Sequence, residues 1–150
     1  MHTGLWVGLL LAMTGGVLAA SPSMETLTSR HDFATLEQRL VTAIADQGMG
    51  LVAQASASRG AASRGVTIPG NAVLMVFRND YALRMLAASV SAGFEAPLRF
   101  YLTENPDGTA TLRYRRPSAV FAPYAHSDLD AMAAELDPIF ARIARYAVGE

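Results

Sequence analysis

The sequence predicts an α+β fold, a two-layer sandwich in which about five strands form a mainly antiparallel sheet and about three helices lie on one face. Three observations carry that reading. Residues 73–77 (VLMVF) are an unbroken apolar run bounded by Gly70-Asn71 and Asn79-Asp80, short enough for a central strand and apolar enough to expect cover on both faces. Apolar residues recur at three- and four-residue spacing in three longer stretches, as they do on helices that turn one stripe to a core. Residues 98–102 and 111–115 flank Asn105-Pro106-Asp107-Gly108, a turn with Pro and Gly where hairpin geometry favours them.

Taken in order, residues 1–20 read as a signal peptide ahead of a single domain, 21–150. Leu5 to Met13 form an apolar core and small residues precede Ser21-Pro22, although the only ionisable side chain before that core is His2. Met24, Thr26 and Thr28 alternate with Glu25, Leu27 and Ser29, which suits a short edge strand. Asp32 then caps a helix over residues 33–47, with Phe33, Leu36, Leu40, Val41 and Ile44 on its core stripe and Gly48 as its stop. Residues 51–57 form a weaker strand. Residues 58–65 (SRGAASRG) form a loop or a single helical turn, and Val66 to Ile68 supply a few more strand residues before Pro69-Gly70.

Asn79 or Asp80 caps the second helix, whose burial candidates are Tyr81, Leu83, Leu86, Ala87 and Val90, with Gly93 ending it. The hairpin register follows from charge. If Leu98, Phe100 and Leu102 face the core, Leu112 and Tyr114 must join them, because a one-residue slip would bury Arg113 and Arg115. Phe100 then faces Tyr114, Leu102 faces Leu112, and Tyr101 lies beside Arg113 on the reverse side. Residues 117–123 leave the sheet as an extended connection. Ser127 caps the last helix, Asp128 and Asp130 oppose its dipole, and Pro138 is expected to kink or break it near Leu136-Asp137.

Composition narrows the chemistry. A net charge of −1 gives no field to hold nucleic acid, and with no cysteine the chain has no thiol nucleophile, disulfide or cysteinyl metal site. All twelve cations are arginine, which removes amine chemistry and leaves guanidinium forks suited to carboxylate or phosphate. After signal cleavage no membrane partner is expected, and the address is the periplasm or the exterior.

The order of features resembles a bacterial family, domain of unknown function 302. The resemblance rests on the first helix ending in glycine, the VLMVF run followed by Asn79, LAASVSAG, Pro97 opening the hairpin, ENPDG, Tyr114 with Pro117, and His126 before a helix holding Asp137-Pro138. It spans residues 24–147 and implies a small α+β fold, a homodimer, frequent export and no established reaction. The chain departs from the family pattern at three places. Phe77-Arg78-Asn79-Asp80 stands where relatives read phenylalanine-glycine-asparagine-proline, Tyr114-Arg115-Arg116-Pro117 where they read tyrosine-asparagine-aspartate-proline, and Ala57-Ser58-Arg59 where many carry a histidine.

The sharpest chemical feature is the group Arg99, Arg113, Arg115 and Arg116. Like charges facing one another on a sheet are destabilising, so they ask for a counter-charge: Glu95, Glu104, a second subunit, or an anionic ligand. Tyr101 beside them suits a planar acid, and Asn79, retained from the family motif, completes the candidate binding set. His126 and Asp130 are four apart and are the candidates for a metal or a general base, though zinc asks for three protein ligands and spacing supplies no third. Met49, Met75, Met85 and Met132 fall in core stripes and read as packing. The leading functional expectation is an exported, non-catalytic homodimer that binds a small anion or an envelope protein. The alternative is an enzyme or a metal- or cofactor-binding protein centred on His126, with the cofactor unspecified.

Overall fold

The computed structural model describes residues 23–150; the signal-peptide reading lies outside the described residues. The elements run β1 (Met24–Ser29), α1 (Phe33–Asp46), β2 (Gly50–Ala55), α2 (Ala57–Ala62), β3 (Asn71–Phe77), α3 (Asn79–Ala88), a 3-10 turn (Ser91–Glu95), β4 (Leu98–Glu104), β5 (Ala110–Arg115), α4 (Pro117–Phe121), a second 3-10 turn (Ala122–Tyr124) and α5 (Ser127–Val148). The five strands form one antiparallel sheet in the order β1-β5-β4-β3-β2. This is the α+β sandwich the sequence predicts, with five α-helices where about three are expected.

The hairpin adopts the register argued from charge: Phe100 faces Tyr114, Leu102 faces Leu112 and Tyr101 faces Arg113. On the covered side Ala72, Leu74, Val76, Phe100, Leu102, Leu112 and Tyr114 are buried beneath the helices. Phe100 lies at the centre of an aromatic group, its ring centroid 5.3 Å from Tyr114 and 5.0 Å from Phe140 of α5. On the other side Val73, Met75 and Phe77 are only half-buried. The apolar run is therefore fully covered on one face among the described residues, because the helices pack on a single side and strand alternation presents every second residue to the other.

Caps explain the helix starts. Asp32 accepts from Thr35 N at 2.8 Å, and that bond holds its carboxyl below the usual carboxylate range. Ser56 caps α2 through Arg59 N, so residues 58–65 take the helical-turn option; Arg59 itself grips Glu37 at 2.9 Å, and Val66 to Ile68 lie outside the sheet. Gly48 leaves α1 in the left-handed region with φ +69°. At Gly70 a side chain would collide with the Phe33 ring, 2.7 Å from an added Cβ, which is why the chain turns into β3 on a glycine.

Several expectations are corrected. Helix α3 starts at Asn79 with Arg78 in the cap position and no side-chain cap; Arg78 instead forks onto Asp80 at 2.8 and 3.1 Å and lies over the Tyr81 ring. The helix ends at Ala88, so Tyr81 and Met85 form the buried stripe and Leu83, Leu86 and Val90 are exposed; Gly93 falls inside the 3-10 turn rather than at the stop. Likewise Val41 points out of α1, at the margin of its apolar stripe. Residues 117–123 are helical, not extended, because Pro117 opens α4 and Asp137, distant in sequence, accepts from Ser118 N at 2.9 Å. Finally, α5 runs unbroken through Pro138 and is capped by His126 rather than Ser127. The carbonyl that Pro138 leaves without a donor is that of Ala134, an exposed position open to solvent, while Leu136 and Phe140 on either side hold the helix in the core.

Candidate functional site

A cavity of about 300 Å³ opens at the end of the β4–β5 hairpin. Strand alternation sends Arg99 and Tyr101 of β4 and Arg113 and Arg115 of β5 to the same open face, where all four line this cavity. Leu98, Tyr114 and Val120 supply apolar wall, and Met24 closes one side from β1, where it pairs with Arg115. Arg113 Nη1 donates to Thr103 Oγ1 at 3.0 Å. Among the described residues no carboxylate lies within 4.0 Å of the guanidinium nitrogens of Arg99, Arg113 or Arg115.

Of the two intramolecular counter-charges considered, Glu104 is committed elsewhere: its Oε2 accepts from Gly70 N at 2.6 Å. Glu95 does line the cavity, half-buried, and its Oε1 accepts from the Tyr124 hydroxyl at 3.1 Å. Burial, then the bond to Glu95, pushes the Tyr124 phenol up.

Arg116 parts company with the other three. It follows the last residue of β5, so it projects away from Arg115 into a groove between β1 and α5, shared with Glu25, Asp137, Arg145 and Tyr114. Its Nε lies 3.3 Å from Glu25 Oε1, outside hydrogen-bond geometry, and is buried without a partner among the described residues. Burial raises the Tyr114 phenol at that groove, with Glu25 and Asp137 adding to the effect. Asn79, exposed at the first turn of α3, is not part of the arginine cavity wall.

His126 uses Nδ1 to accept from Asp128 N at 3.2 Å, which is a helix cap. Asp130 is exposed and meets His126 through its backbone N–H, which donates to the His126 carbonyl. Among the described residues no group of three or more His, Asp or Glu side chains gathers to hold a metal ion. Val120, in the cavity wall, and Tyr124, which holds Glu95, have no sequence signal as site residues, because both are placed by helical turns whose start depends on Asp137.

Residues 25–145 match the family described as Domain of unknown function DUF302. The chain belongs to the DUF302 family. A solved relative has the same fold: the crystal structure of an uncharacterized conserved DUF302 protein from Bacillus stearothermophilus superposes with a TM-score of 0.75 at 17% identity, covering 85% of this chain and 99% of that one. No curated protein matches the chain. The DUF302 assignment thus agrees with the five-stranded sheet and its helical layer. No helix of the described residues is long and apolar enough to cross a membrane.

Proposed function

We propose that this DUF302 chain is an exported, non-catalytic homodimeric binding module whose arginine cavity takes a small organic acid. The observation that carries the reading is the set of three guanidinium groups, Arg99, Arg113 and Arg115, around one cavity beside Tyr101, with none ion-paired among the described residues. Guanidinium forks recognise planar carboxylates in bidentate fashion, and an apolar wall with few polar groups is the usual composition of a small-ligand site. A volume of about 300 Å³ suits a molecule the size of a single ring with a short acidic chain. The half-buried apolar residues Val73, Met75 and Phe77 on the same sheet face support a second copy as the neighbour. Export is supported by the apolar run and small residues of positions 5–20.

Titration calorimetry with 3-phenylpropanoate tests the site. Binding by the wild type, weakened about tenfold or more in Arg113→Ala and in Arg115→Ala, is the expected result. A wild type that takes up no acid, or variants that bind it unchanged, would remove the reading.

A further inference from the structure

A cavity built for a plain anion has no use for a carboxylate in its own wall, yet Glu95 stands in this one beside Arg99, Arg113 and Arg115. It is not there to neutralise them, since none of the three guanidiniums lies within ion-pair distance of it. Nor is it a stray surface group. It is half-buried at the end of the 3-10 turn that enters β4, and the Tyr124 hydroxyl donates to Oε1, which fixes the side chain from the α4 side. The second oxygen, Oε2, makes no hydrogen bond to protein among the described residues. The wall thus offers positive donors from the hairpin, one negative acceptor from the 3-10 turn, and apolar surface from Leu98 and Val120.

Resting on the acid-binding reading above, we infer that the ligand of this cavity is zwitterionic, an amino acid or a close analogue with an apolar side chain. Its carboxylate meets the arginines, its ammonium meets Glu95, and its side chain lies on Leu98, Tyr101 and Val120. A plain acid of the same shape leaves Glu95 facing an anion with no donor, a repulsive element of the kind that produces specificity by disfavouring the wrong partner. Charge-assisted hydrogen bonds are strong enough for this to matter: one such bond corresponds to about tenfold or more in affinity.

Three probes that differ by one group at a time decide it: L-phenylalanine, 3-phenylpropanoate, which lacks the ammonium, and phenethylamine, which lacks the carboxylate. Calorimetric titration of the full wild-type chain is expected to show phenylalanine binding about tenfold tighter than 3-phenylpropanoate, with phenethylamine weaker than phenylalanine. Glu95→Gln keeps an acceptor for Tyr124 while removing the charge, and is expected to bring the two acids within about twofold of each other. Equal or tighter binding of 3-phenylpropanoate by the wild type overturns the zwitterion inference and leaves the acid-binding reading standing. No binding of either acid, or phenethylamine binding best, overturns both. A preference for phenylalanine that survives Glu95→Gln removes Glu95 as its cause. The wild-type comparison stands even if the variant fails to fold.

Discussion

Leu102 and Tyr101 are neighbours in β4, yet one has no exposed surface and the other exposes 39% of its own. Leu102 meets Leu112 under the helices; Tyr101 meets Arg113 on the opposite face. The same contrast runs across the sheet, with Phe100 and Leu74 on one side and Arg99 and Met75 on the other. Closely packed side chains on the covered face hold the fold, whereas the open face combines apolar rows from β3 with charge from the hairpin. Strand alternation alone thus separates the face that carries the core from the face that carries the arginines, and substitutions one residue apart should report on different properties.

The strongest test of that separation is Phe100→Ala against Tyr101→Ala. Removing the Phe100 ring leaves a cavity among Tyr114 and Phe140 and is expected to lower unfolding free energy by about 3–5 kcal/mol in urea titrations. Tyr101→Ala should lower it by about 1 kcal/mol or less, and similar losses for the two would break the contrast. Next in size, Met75→Arg adds charge to the open apolar row. On the proposed homodimer it is expected to convert dimer to monomer by sedimentation while the urea midpoint changes little; an unchanged dimer would place the second copy elsewhere, and a monomeric wild type would remove the dimer proposal. Arg115→Ala should move stability by about 0.5 kcal/mol at most, because an exposed like-charge group holds little of the fold together, and Arg113→Ala, half-buried and bonded to Thr103, by about 1 kcal/mol at most.

The smallest effect is a pH dependence on the covered side. Burial raises the Tyr114 phenol in the folded state, so its contribution is complete below the ordinary tyrosine range and is lost as pH rises through the folded value. Tyr114→Phe should flatten the alkaline limb of the stability curve and leave the acid limb alone.

What the sequence made legible follows the range of the interactions. The hairpin register was readable because Arg113 and Arg115 forbid the alternative locally, and the Asp32 cap because its partner Thr35 is three residues away. Helix α4 was not readable, since its supporting acceptor, Asp137, comes from a helix the chain has not yet reached. Pro138 misled for a related reason: whether a proline breaks a helix depends on whether water reaches the orphaned carbonyl, and that is decided by packing. The arginine group was visible as a composition of two strands, but strand alternation past Arg115 separated Arg116, and Glu95 became a wall of the cavity only through the turn and Tyr124.

The pairing of β1 with β5 has a consequence in time. The other strand pairs, β2 with β3, β3 with β4 and β4 with β5, join elements consecutive in the sheet-forming chain, while Met24 finds Arg115 only after nearly every other strand residue has been made. During synthesis the first strand therefore waits as a single ribbon, and closing the sheet falls to one late, long-range step. Such non-local closure is slow relative to hairpin formation. The sheet is therefore complete only once β5 is present, because that one strand bridges β4 to β1.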